Sequence, residues 1–257
     1  LGAQRWLSFA GVNIQPSEFA KISLILSLAS ILDRKIFAGF SYLIKPLLVS
    51  ILPWILVFIQ PDLGTSLVFG AILLGMLYWS GMPYEWAFII LATLVTGLFA
   101  CLYQIGLIFW IPLIGFIVYQ ALPRKNILTL FVILFHLFIA KITPWFWENV
   151  LKDYQRDRLI IFIDPSQDPL GGGYHMLQSK IGIGSGGLLG TGLMQGQLTK
   201  LKFIPEQHTD FIFSALGEET GFLGTLLVLF LFFSLIFRII KIAIDARTDF
   251  ESLIVIG

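Results

Sequence analysis

Long apolar runs separated by short polar breaks dominate this chain. They lie near residues 17–32, 42–60, 64–81, 85–103, 105–120, 126–143 and 211–240, and another begins near Ser252. A helix crosses a bilayer with about 20 apolar residues at about 1.5 Å rise each. Inside lipid every backbone N–H and C=O needs an internal partner, so runs of this kind are economical only as helices. The pattern therefore predicts an all-α, polytopic transmembrane helical bundle. The run at 105–120 is short and contains Pro112, which predicts a tilted, kinked or re-entrant segment.

Composition strengthens this picture. The 257 residues are 57% hydrophobic and 13% charged, about half the charged share of an ordinary soluble protein. Mean hydropathy is +0.86. A net charge of +1 gives no basic field for nucleic acid. The single cysteine, Cys101, rules out an intramolecular disulfide. The first residue is Leu1, in a polar connection, and the last, Gly257, closes an apolar run. The sequence thus reads as part of a longer chain.

Charge in the connections sets orientation. Arg34, Lys35 and Lys45, then Arg124 and Lys125, then Arg238, Lys241 and Arg247 fall on one side if the spans alternate. The connections at 61–63 and near Gln104 hold no Lys or Arg. Positive residues concentrate in the cytoplasm, so the long connection 144–210 is expected on the outer face. It is too long for a simple link. Ten glycines fall in the 26 residues Gly171–Gly196, and between them YHMLQSKIGI reads as a short interfacial helix. We expect one membrane domain over 1–257 with an ordered outer loop.

Several polar groups on or near that face are candidates for chemistry. Asp210 stands beside His208 and Glu206 at the last polar point before an apolar run of about thirty residues. A carboxylate there acts as a base, or caps the helix that follows. His208 and Asp210 are two apart and would not face each other on a helix. Glu18 and Lys21, three apart, share a helix face; such intramembrane charges serve function or form a structural pair. Gln60-Pro61-Asp62 is a turn with Asp62 as a cap, although Gln60 is left unexplained by that reading. Gly182, Gly184 and Gly187 match G-x-G-x-x-G, but no strand–helix context supports a dinucleotide site. These glycines either let backbones pack closely or offer bare amides to a diphosphate. Arg5, Arg156, Arg158, Lys180, Lys200 and Lys202 are outer-face cations that together suit an anionic head group. Glu218 and Glu219 are expected to face inward. No metal-ligand motif is present.

The ordered motifs carry a resemblance. GAQRW (2–6), QPSEFAK (15–21), QPDLGTS (60–66), YQRDR (154–158), DPLGGGYHMLQSKIGIGSGGLLGTG (168–192) and FIPEQHTDFIFSALGEETG (203–221) closely resemble the SEDS family of shape, elongation, division and sporulation proteins. The likeness is greatest to its RodA branch. It covers nearly the whole chain outside about 82–150. There, three apolar runs stand where many relatives have one, which reads as an extra helical hairpin within 82–143.

The resemblance implies a peptidoglycan glycosyltransferase of the bacterial inner membrane, polymerising lipid II at the outer face during elongation. It implies a class B penicillin-binding protein transpeptidase and other elongation-complex membrane proteins as partners. The family's essential aspartate matches Asp210, and its intramembrane acid–lysine pair matches Glu18 and Lys21. Arg5, Gln60, Asp62, Lys180, Ser185, Gly186, Gly187 and His208 are the remaining substrate-binding candidates. No cofactor is specified; a divalent cation, Mg2+ or Mn2+, is compatible with a diphosphate substrate. The rival readings are a lipid II flippase and a non-catalytic scaffold for cell-wall synthases. Sidedness is testable in a Cys101→Ala background. In intact spheroplasts a cysteine at Ser166 should react with an impermeant maleimide, and one at Asn126 should stay protected until lysis. The reverse pattern would overturn the span count.

Overall fold

A computed structural model describes residues 7–9, 12–33, 40–60, 62–121, 125–151, 153–168, 171–201, 203 and 207–257. Helix dominates it. A small antiparallel ribbon, β1 (Leu7–Phe9) with β2 (Val12–Ile14), pairs Leu7 with Ile14. The helices that follow are α1 (Pro16–Leu32), α2 (Phe40–Ile59), α3 (Leu63–Trp79), α4 (Tyr84–Leu102), α5 (Gly106–Ala121) and α6 (Lys125–Asn149). Then come α7 (Asp153–Ile163), α8 (Gly172–Ser185), the short α9 (Gln197–Lys200), α10 (Ile212–Ile244) and α11 (Asp249–Ile256). Every expected apolar run is helical. Four helical stretches, Ser41–Ile59, Tyr84–Leu102, Asn126–Asn149 and Ile212–Ile244, are long and apolar enough to cross a membrane, and Gly64–Trp79 and Gly106–Ala121 are apolar but shorter.

The segment 144–210 differs from the sequence expectation in two places. Pro144 does not end α6, which runs on to Asn149. The connection therefore starts at Val150 rather than at 144. Proline removes one backbone donor and usually stops a helix, but apolar Trp145, Phe146 and Trp147 carry this one onward. Helix α7 falls within the expected loop: its charged residues, 153–158, precede its apolar ones, 159–163, so no apolar stripe marks it, and Arg156 pairs with Asp153 one turn earlier.

The chain divides into two compact units, Leu1–Leu151 with Ile240–Gly257, and Lys152–Ile239. In the first, Leu24, Leu28, Phe69, Leu73, Met76, Leu77 and Leu253 form a core shared by α1, α3 and α11. Trp79 Nε1 donates to Ser252 Oγ at 2.7 Å, and Ser252 Oγ donates to the Ala243 carbonyl at 2.6 Å. A second cluster joins α4, α5 and α6 through Ile89, Ala92, Ile114, Val118 and Val132. Small residues let these helices approach: Gly97 faces Thr143, and Gly115 faces Ile133. Trp110 Nε1 finds the buried Thr96 hydroxyl at 3.0 Å. This is the region of the expected extra hairpin, and its helices pack on one another.

The second unit is organised around a broken helix. Gly221 has φ +67 and ψ −164 inside α10, so the Ile212–Thr220 turns and the Phe222–Ile244 turns are separate helical pieces. A break frees N–H groups after it and C=O groups before it. The glycine-rich segment accepts and supplies them. Phe222 N–H donates to Gly187 O at 2.9 Å and Leu223 N–H to Leu188 O at 3.2 Å. Thr191 N–H donates to Glu218 O and Gly192 N–H to Glu219 O, both at 3.0 Å. This exchange demands contact without side chains. A Cβ on Gly190 (φ +81) would lie 2.1 Å from Glu219 O, and one on Gly186 would lie 2.0 Å from Gly217 O.

Gly190→Ala and Gly186→Ala should therefore lower the thermal midpoint of the detergent-solubilised protein sharply. The left-handed backbone alone costs about 1–2 kcal/mol at Gly190, before the clash is added. Gly184→Ala is the control, because a Cβ there meets nothing within 4 Å; helix propensity favours alanine by about 1 kcal/mol. Equal midpoints for all three variants would refute the close-approach account.

Candidate active site around Asp210

Asp210 is the fourth residue of a turn, residues 207–211, just before α10. The first α10 turn is closed from one residue later: Ser214 and Ala215 N–H donate to Phe211 O at 3.0 and 3.3 Å. Asp210 is exposed, and among the described residues its carboxylate makes no hydrogen bond or ion pair. It is not the cap that its sequence position allows. His208 is also exposed, and its Nε2 lies 3.5 Å from Nε2 of the buried Gln207.

Helix α8 holds the turn from one side. His175, Ser179 and Ile183 recur every four residues and form one stripe. The His175 ring stacks on Phe211, with centroids 6.4 Å apart and planes at 9°. The hydroxyls of Ser179 and Ser214 share a hydrogen bond, and Ile183 meets Gly217. Phe211, Ser214 and Gly217 form the matching stripe at three-residue spacing. Lys180, next along α8, is exposed. The sequence reading found α8 itself but not this stripe; the four- and three-residue spacings were the available signal.

Glu218, further along α10, fastens α9. Its side chain is 1% exposed. Oε1 accepts from Leu198 N–H at 2.8 Å, and Oε2 accepts from Thr199 N–H at 2.9 Å and Thr199 Oγ1 at 2.6 Å. A carboxylate with several donors is a low-energy way to bury charge. The inward orientation expected for Glu218 is found. Its role as the cap of α9 was not legible, because its partners lie about twenty residues upstream in a helix of only four residues.

The glycine segment spends its own amides. Gly187 N–H donates to Gly184 O, Gly190 to Gly186 O, Thr191 and Gly192 to the broken helix, and Gln195 to Gly192 O. Ser185 Oγ returns to Gly182 O at 2.8 Å. Gly187 has φ +54, and Gly186 is buried. These bonds favour close packing over bare amides as the reason for the glycines. A substrate contact at Ser185–Gly187 would run through side-chain or carbonyl atoms.

In the first unit, Glu18 Oε2 and Lys21 Nζ pair at 2.9 Å on the first turns of α1. Asp62 is buried and caps α3, with Oδ1 accepting from Thr65 N–H at 3.2 Å, so its turn-and-cap reading has direct geometry. Gln60 is exposed at the end of α2. Arg5, Lys202 and Glu206 lie outside the described residues. Among the described residues no group of three or more His, Cys, Asp or Glu side chains is placed to hold a metal ion.

The model of the cell cycle proteins FtsW, RodA and SpoVE matches residues 1–110 and 104–257. The chain belongs to that family. Its two matched stretches meet at 104–110, where α4 gives way to α5. Peptidoglycan glycosyltransferase MrdB of Escherichia coli (strain K12) is 37% identical over 250 residues, covering 97% of this chain and 55% of the relative. Peptidoglycan glycosyltransferase RodA of Treponema pallidum is 34% identical over 287 residues, covering 96% and 63%. Probable peptidoglycan glycosyltransferase FtsW of Borreliella burgdorferi is 33% identical over 253 residues, covering 97% and 56%. A solved structure described as "Structural coordination of polymerization and crosslinking by a peptidoglycan synthase complex" matches 99% of this chain and 58% of its own. Its TM-score is 0.64 at 25% identity. The chain thus spans little more than half the length of these relatives. Family membership and the apolar helices make it a multi-pass membrane protein.

Removing the Glu218 carboxylate strands buried donors. Glu218→Ala should destabilise the protein by about 1–3 kcal/mol for each amide left unpaired, read as a lower thermal midpoint. Glu218→Gln should recover only part, since its amide nitrogen presents a donor to donors. Full stability in Glu218→Ala would show that α9 needs no cap.

Proposed function

We propose that the complete protein is a peptidoglycan glycosyltransferase that polymerises lipid II during cell elongation and shape maintenance, with Asp210 as general base. The observation that carries this reading is the exposed, unpaired carboxylate of Asp210, on a turn held by α8, in a member of a family whose curated relatives are peptidoglycan glycosyltransferases.

The chemistry asks for one such group. Lipid II is an α-linked glycosyl diphosphate and the glycan is β-1,4-linked. A single inverting displacement joins them, with no covalent enzyme intermediate. The diphosphate leaves readily, so no general acid is required. The acceptor 4-hydroxyl is a weak nucleophile and needs a positioned base, worth about 10²–10⁴-fold in rate. An aspartate already committed to a cap or an ion pair would be poor at this; Asp210 has neither commitment among the described residues.

Negative charge grows on the departing diphosphate and needs fixed cations. Lys180 and Arg5 are assigned to it, with the Ser185–Gly187 segment and His208 lining the head group. Glu18, Lys21, Gln60 and Asp62 complete the proposed substrate contacts, and a divalent cation can share the charge on the diphosphate. The loop that ends at Asp210 is assigned to the outer face of the inner membrane, where flipped precursor is available. The partner assigned to the product strand is a class B penicillin-binding protein transpeptidase, within an elongation complex.

The test uses full-length protein and purified lipid II. Wild type should make polymer, while Asp210→Asn and Asp210→Ala should lose it by about 10²-fold or more and still accumulate in the membrane. Normal polymerisation by Asp210→Asn would remove the base. Head-group translocation without polymer would make the protein a transporter instead.

A further inference from the structure

The tip of the glycine-rich segment carries side chains unsuited to water. Leu188, Leu189, Leu193 and Met194 are 71%, 79%, 75% and 82% exposed. From Ile181 to Thr199 there is no charged residue. Large exposed apolar clusters of this kind mark a surface that something covers.

The hydrogen bonds to α10 fix where this tip sits along a membrane-crossing helix. Counting back from Lys241, the about 20 residues to Phe222 rise about 30 Å, the thickness of a hydrocarbon core. No charged residue lies between Phe222 and Phe237, and Arg238 and Lys241 stand at the far end, where long cations reach the interface. The break at Gly221 thus coincides with the other boundary of the apolar stretch, and Glu218 and Glu219 stay beyond it. Gly187 O and Leu188 O accept from Phe222 and Leu223 N–H, so the tip is fastened at that boundary. Its apolar side chains continue a surface that α10 already shows there, where Phe222, Leu223, Leu226 and Leu227 are exposed.

We infer that residues 188–194 insert into the bilayer, with Leu188, Leu189, Leu193 and Met194 covered by lipid acyl chains. The glycine segment is then an in-plane anchor that holds the Glu218 cap and the turn at Asp210 at a fixed depth. Backbone without regular structure is tolerated at that depth because its amides bond within the fold. This inference concerns the membrane alone and does not depend on the polymerase reading.

Depth is measurable without catalysis. In full-length Cys101→Ala protein in liposomes, a nitroxide is attached after Leu189→Cys or Met194→Cys. Both native side chains point away from the core, so labelling leaves the packing intact. Power saturation compares collisions with oxygen, which concentrates in lipid, and with a water-soluble nickel chelate. Leu231→Cys, mid-way along the apolar stretch, and Ser166→Cys, outside it, are the references. Labels at 189 and 194 should sort with Leu231, with oxygen collisions exceeding nickel collisions severalfold. Nickel collisions in excess would put the tip in water. Protection from both reagents would mean that protein, not lipid, covers it. Either result overturns the inference, and neither touches the assay on Asp210.

Discussion

A transmembrane helix that breaks must find new partners for the groups it frees, and this requirement shapes the second unit. At Gly221 the backbone leaves helical geometry. The carbonyls of Glu218 and Glu219 and the amides of Phe222 and Leu223 are satisfied by the chain between Gly187 and Gly192. Each unsatisfied group would cost several kcal/mol in a low-dielectric setting. Only backbone can approach closely enough, and that accounts for Gly186, Gly190 and Gly221. The glycine-rich loop is therefore a structural complement to the helix rather than a flexible connection. Through it, the position of the turn at Asp210 is tied to the helix it precedes.

Two carboxylates eight residues apart show how the same chemistry is put to opposite uses. Glu218 is buried and receives three donors, so its charge is consumed in fastening α9 to α10. Asp210 is exposed and receives none among the described residues. Sequence alone ranks both as costly charges near the head of an apolar run. The difference arises from α9, whose Leu198 and Thr199 amides meet one carboxylate, while the other is exposed.

What was legible in the sequence follows from the length scale of the signal. The helices from α1 to α6 and the long apolar piece of α10 could be read because a bilayer imposes about 20 apolar residues on any span. The end of α6 lies six residues beyond the expected apolar run because the mixed segment Pro144–Asn149 carries no uninterrupted apolar signal. Helix α7 was invisible because it has no apolar stripe. Among the candidate residues of the first unit, Asp62 as a cap and Glu18 with Lys21 were legible, since each depends on neighbours three residues away. The Glu218 cap and the stacking of His175 on Phe211 bring together residues about twenty to thirty-six positions apart. No local period encodes such pairings.

The glycines illustrate how one pattern supports different physics. G-x-G-x-x-G in a strand–helix unit leaves amides pointing at a phosphate. Here the first two glycines fall inside α8 and the third has φ +54 just after it. The following amides turn toward a neighbouring helix rather than toward a ligand. Charge for a diphosphate must then come from side chains, and among the described residues of this unit Lys180 on α8 is exposed.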